Sequence, residues 1–209
     1  ARNIAIGDLA MDDTDAGSTS LGSTDNVFIG KDSGGGTWLT SSSSENVAVG
    51  SGTMTGAMNA VGGTTALGYA AGAALTTGSN NTLMGWAAGT AINSGANNTL
   101  IGRYTGGTIT TDQNVVAIGY GAYDAMDTAT DADGGSSAGS GNIAIGYNSM
   151  GAYTNAGAIR NTAIGFETMI TGADHAATDN VALGFRALKG LTTGDKNVCL
   201  GSKAGQILS

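Results

Sequence analysis

The sequence predicts an all-β fold: a parallel β-solenoid of about eleven coils with a basal repeat of seventeen residues. Three observations carry this expectation. A five-residue phrase, Asn, β-branched, any, aliphatic, Gly, recurs from "NIAIG" at Asn3 to "NVCLG" at Asn197. Glycine makes up 37 of 209 residues and proline is absent, so nearly every main-chain N–H is free to donate. Aromatic residues are 5% and charged residues 11%, too few for one bulky core and too little charge for a disordered chain. A short unit that cannot bury its own face gains a core by stacking on copies of itself.

The phrase is counted on its closing glycine: Gly7, Gly30, Gly50, Gly68, Gly85, Gly102, Gly119, Gly146, Gly165, Gly184 and Gly201. Three consecutive steps, from Gly68 to Gly119, are seventeen residues; the others are that length or longer by insertion. The first position is Asn in most copies, and in-register stacking predicts an amide ladder that includes Asn81, Asn98, Asn161 and Asn180. Thr64 and Val115 interrupt it. The second position is always β-branched and the fourth always a large aliphatic or Met, which reads as a short strand. The glycine ends the strand in a conformation other residues resist. The position three past it is always Ala, Ser or Thr. The whole chain, 1–209, reads as one repeat domain with longer loop insertions around 11–25 and 124–141.

Alternation places positions two and four on one face and position three on the other. Position three is never polar: it is mostly Ala, with Phe28, Leu83, Leu100 and Cys199 as larger members. A strand apolar on both sides is buried on both sides. One face is therefore expected to cover the coil interior and the other a second chain. On this reading Phe28, Leu83, Leu100 and Cys199 are candidates for an interface between copies of the chain, which becomes a trimer interface if three chains lie side by side.

Other features were weighed for chemistry. Half of the sixteen acidic residues fall in the two insertions: Asp12, Asp13, Asp15 and Asp25, then Asp124, Asp127, Asp131 and Asp133. "TDADGG" gives Asp131 and Asp133 as weak calcium candidates without completing a calcium loop; a solvated acidic loop is the plainer alternative. The position after the glycine carries Tyr69, Trp86, Tyr120, Tyr147, Phe166 and Phe185, with Arg103 breaking the line. Such a ladder packs against neighbours more often than it stacks on a glycan. Catalysis finds no support. His175 is the sole histidine, Cys199 sits in an apolar column, and "KDSGGGTWLT" lacks a phosphate-loop context. No cofactor is expected. Net charge is −8 with no basic stripe, which argues against nucleic acid, and no apolar run is long enough to cross a bilayer. No signal peptide is visible before "ARNIAIG", which is expected of a mature or excised piece, or of one not exported by that route.

The phrases "NIAIGYNSM", "NTAIGFETM", "NVALGFRAL" and "TALGYAAGAALTTGSNNT" resemble the "N-T-A-I-G-Y" repeats of phage tail fibres, and are similar to the head repeats of trimeric autotransporter adhesins. The resemblance covers about Asn3 to Gly205. It implies a parallel β-roll, three chains side by side, in an extracellular attachment fibre on a virion tail or a cell surface. The period is longer than the adhesin head repeat, which favours the phage-fibre type, and the piece holds no stalk, anchor or receptor tip. The expected function is a structural and adhesive segment that spaces and presents host-binding loops, with self as partner and a cell-surface glycan or protein receptor as target. Alternatives are a head-to-tail extracellular filament and a surface-binding solenoid. For the latter, the Thr pairs Thr76-Thr77, Thr110-Thr111 and Thr192-Thr193 are sparse.

Overall fold

The computed structural model describes residues 2–12, 22–124, 141–151, 158–170, 177–191 and 194–206. Asp13, Asp15, Asp127, Asp131, Asp133, His175 and the Thr192-Thr193 pair lie outside them, and with them the calcium candidates.

Each copy of the phrase forms one three-residue strand. The strands are β1 (Ile4–Ile6), β2 (Val27–Ile29), β3 (Val47–Val49), β4 (Thr65–Leu67), β5 (Thr82–Met84), β6 (Thr99–Ile101), β7 (Val116–Ile118), β8 (Ile143–Ile145), β9 (Thr162–Ile164), β10 (Val181–Leu183) and β11 (Val198–Leu200). They make a single parallel sheet in sequence order. The register is that of the repeat: Thr82 pairs with Thr99, Leu83 with Leu100, Met84 with Ile101. The fold is a parallel β-solenoid. Strands this short are not stable alone; each is held by the ladders on either side of it.

The glycine that closes each strand is fixed for two reasons. In this column φ runs from 120° at Gly201 to 140° at Gly50 and Gly165, a region that residues with a Cβ rarely enter. A Cβ on Gly50 would also stand 2.5 Å from the carbonyl oxygen of Gly68, directly above it in the stack. The same clash with the next glycine recurs along the column and ends at Gly201, where nothing lies within 4 Å. The backbones at this corner therefore approach as closely as hydrogen on Cα allows.

Position three faces the solenoid's own interior. Phe28, Leu83 and Leu100 are fully buried within one chain, as are the alanines of the column from Ala48 to Ala182. This corrects the expectation that Phe28, Leu83 and Leu100 meet another chain. Cys199, in the last strand, is partly buried and packs against the same core, so it too belongs to the interior row. The physical reason lies four residues past the glycine. Where position three is large, that residue is Gly34, Gly89 or Gly106, and a Cβ there would strike Phe28, Leu83 or Leu100. Where position three is Ala48, Ala117, Ala144 or Ala163, the matching residue is Met54, Tyr123, Met150 or Met169, each fully buried. In these layers two inner positions exchange volume; Ala66 is instead matched by Gly72, where Leu83 of the next repeat reaches in. Trp38 fills the second repeat, edge-on to Phe28 at 5.7 Å, with Nε1 donating to the Gly34 carbonyl at 2.9 Å.

The asparagines run along the stack inside the turn before each strand. Asn161 donates through Nδ2 to the Ala177 carbonyl at 2.8 Å. Its Oδ1 accepts from the Asn180 main-chain N–H at 3.0 Å and from Asn180 Nδ2 at 3.1 Å. Asn98 N–H donates to Asn81 Oδ1 at 3.0 Å, while Asn98 Nδ2 donates to the Asp112 carbonyl at 2.8 Å. Asn81 Nδ2 donates to Gly95 O at 2.9 Å. Each amide thus ties its loop to the next repeat, as well as rung to rung. These side chains are all buried, where an unmade hydrogen bond costs about 1–3 kcal/mol. At Val115 the amide is missing, and the buried Tyr123 hydroxyl takes its place by accepting from Asn142 Nδ2 at 2.9 Å.

Candidate functional site

With position three turned inward, positions two and four are the outer face of the sheet. Ile4, Ile6, Val49, Met84, Val181, Leu183, Val198 and Leu200 are all exposed there. The remaining members of both columns are partly exposed, and none is charged. Ten strand-to-strand steps at about 4.8 Å make this face about 48 Å long, and three residues make it about 10 Å wide. It is an uncharged strip of aliphatic residues, Met and Thr, about 500 Å² before side-chain relief is counted, within the range of the largest patch on an ordinary monomer, which is often functional.

A second outward strip begins just past the glycine corner. Tyr69 and Trp86 stack with ring centroids 5.6 Å apart. Tyr120, Tyr147, Phe166 and Phe185 continue as a stacked series at 5.4, 4.9 and 5.6 Å. Arg103 does not break the line as the sequence suggests, because Tyr104 swings in to fill it. Its ring stands edge-on to Trp86 at 4.6 Å and to Tyr120 at 6.2 Å. The Arg103 guanidinium lies 4.9 Å from the Trp86 centroid and 4.7 Å from that of Tyr104. The ladder therefore runs through seven rings. Stacked rings cover one another's faces and leave their edges to solvent. A sugar stacks on ring faces, so this geometry favours packing over glycan stacking.

Ionic groups border the ladder rather than the strand strip: Arg103 lies over its middle rings, and the Arg186 guanidinium is 4.8 Å from the Phe185 centroid. Arg2 holds Asp25 through a two-pronged contact at 2.6 and 2.8 Å, which lowers the Asp25 carboxyl to about 2. Arg160 grips Asp179 in the same way and lowers it. Glu167 accepts from Lys189 Nζ at 2.7 Å and from Arg186 Nε at 2.8 Å, and its carboxyl is lowered, Lys189 contributing most. Each joins one repeat to the next, and each is a surface pair worth little singly. Asp124 is half-buried at the edge of the second insertion, and burial raises its carboxyl. Among the described residues no group of three or more His, Cys, Asp or Glu could hold a metal ion. No helix among them is long and apolar enough to cross a membrane.

No protein family, curated protein or solved structure matches this chain. Function has to be read from its surfaces.

Proposed function

We propose that this chain is a structural and adhesive segment of an extracellular fibre, carried on a virion tail or a cell surface. It is a rod of about eleven coils that assembles as a homotrimer and spaces loops for contact with a host receptor. The observation that carries this reading is the outer apolar strip of positions two and four, which runs from Ile4 to Leu200 without a charge. β-Branched residues favour the strand itself, but the large aliphatic residues of position four gain most when a rod laid against copies of itself buries them. Covering the strip from both sides removes about 1,000 Å² per contact, the lower bound of a stable interface, and a trimer has three such contacts. Its role is mechanical, and no reaction is assigned to it. Affinity for a receptor would come from repeated weak contacts on three parallel chains.

The test is the mass of the purified chain in solution by light scattering across a range of concentrations. A constant mass of three chains supports the fibre segment. A constant mass of one chain overturns the trimer. A mass that climbs with concentration favours the head-to-tail filament.

A further inference from the structure

We propose that in the trimer the strand strip of each chain packs against the ring ladder of the next, with the glycine column as the wedge between two unlike faces. The inference rests on the trimeric reading above and names the surfaces that meet. A closed threefold ring needs head-to-tail contacts between two different patches of the same chain. A single strip turned to the threefold axis would meet its own copies there, whereas two unlike strips give each chain one face for each neighbour. This chain has two outward apolar strips, and they meet at the bend made by the glycine that ends each strand. On one side of the bend stand position-four residues such as Met84 and Leu183. On the other stand Trp86 and Phe185, two residues later.

The two strips also match in pitch and in charge. Ring centroids in the stacked parts of the ladder are 4.9 to 5.6 Å apart, close to the strand spacing of about 4.8 Å. A row of ring edges at that pitch can seat between a row of aliphatic side chains rung for rung. From residue 46 to residue 111 the chain carries one charge, Arg103, and its guanidinium is spread over Trp86, Tyr104 and Tyr120. Neither strip therefore presents an isolated charge to the other over the middle of the rod. Rotation about an axis along the rod moves nothing lengthwise, so equivalent repeats meet. Ile145 of one chain then faces Tyr147 of its neighbour.

Two variants in a Cys199→Ser background test this arrangement: Ile145→Cys and Tyr147→Cys, one carrying a size-distinguishing tag. They are co-expressed, treated with a short bis-maleimide and separated under denaturing conditions, with solution mass measured beforehand. The expected result is a covalent pair containing one chain of each kind, with neither variant linking when expressed alone. A second pair, Ile118→Cys with Tyr120→Cys, repeats the test one repeat away. A preparation with the mass of three chains and no mixed pair, or Ile145→Cys chains linking to one another, overturns the arrangement and leaves the trimer standing. Unsubstituted protein with the mass of one chain overturns both.

Discussion

Gly50 and Gly52 lie two residues apart in one repeat and separate the two reasons a glycine can be required. At Gly50, φ is 140° and a Cβ would stand 2.5 Å from the Gly68 carbonyl oxygen and 2.7 Å from its carbon. At Gly52, φ is 67° and nothing lies within 4 Å of a Cβ. The position of Gly52 elsewhere holds Ala70, Ala87 and Tyr104 at φ of 53° to 58°, so a side chain is tolerated there. Gly52→Ala should cost the left-handed penalty alone, about 1–2 kcal/mol. Gly50→Ala carries backbone strain of about 1–3 kcal/mol. It also drives a methyl into the next repeat's main chain, an overpacking cost of about 1–3 kcal/mol. The sum, about 2–6 kcal/mol, is a large part of ordinary domain stability. Gly201→Ala, with φ of 120° and no neighbour within 4 Å, isolates the strain without the clash. Urea unfolding at one fixed protein concentration, followed through the buried Trp38, gives the comparison. The expected order of loss is Gly50→Ala first, then Gly201→Ala, then Gly52→Ala. If Gly50→Ala and Gly52→Ala agree within about 0.5 kcal/mol, close stacking of the glycine corner is not what fixes the column.

Volume exchange inside the coil gives a second expectation. Leu83→Ala should cost about 2–5 kcal/mol by leaving a cavity. Adding Gly89→Met should recover a measurable part in the same urea assay, since Met54, Met150 and Met169 occupy that place opposite an alanine with φ of 47° to 50°. Acid gives a third. Asp25, Asp179 and Glu167 are lowered in the folded chain by Arg2, Arg160 and the Lys189–Arg186 pair. Their contribution is present above the ordinary carboxylate values of 3.8 and 4.5 and is lost as pH falls through the lowered ones, about 2 for Asp25. Asp124 is raised by burial and acts with the opposite sign: its share is present below 3.8 and is lost as pH rises. With three groups against one, the melting temperature should fall between pH 4.5 and 2. A flat profile would mean that the pairs at Asp25, Asp179 and Glu167 do not persist in solution.

The strands were legible because each is announced by three fixed columns, and a strand forms at every recurrence of the phrase. The direction of the strands was not legible. A period of two separates the faces of a strand but does not say which one looks inward. Alternation alone points Phe28, Leu83 and Leu100 at another chain. The deciding signal lies six residues downstream, where Gly34, Gly89 and Gly106 replace the Met or Tyr found opposite Ala48, Ala117, Ala144 and Ala163, although Ala66 too is matched by a glycine, Gly72. Such a trade in size marks two positions that share one interior space. Tyr104 was missed for a different reason. It sits one place out of its column, and a column count has no means of letting a neighbour supply the ring. Tyr123 likewise serves the asparagine row from outside the phrase, through a hydroxyl that reaches Asn142.

Turning the strands over moves the argument for assembly to other residues. With position three facing out, a partner would be inferred from three large side chains among many alanines. With it facing in, the outward residues are Ile, Val, Leu, Met and Thr in every repeat, and they run the length of the rod. A solenoid could carry polar residues at those places without disturbing its interior, because its layers are already filled by position three and its downstream counterpart. The apolar strip is therefore not a by-product of packing the coil. Neither is the ladder of rings beside it, since Asp8, Lys31 and Ser51 occupy the same column in the first three repeats and their strands pair equally well. On the proposed trimeric reading, a second rod of the same pitch covers both strips.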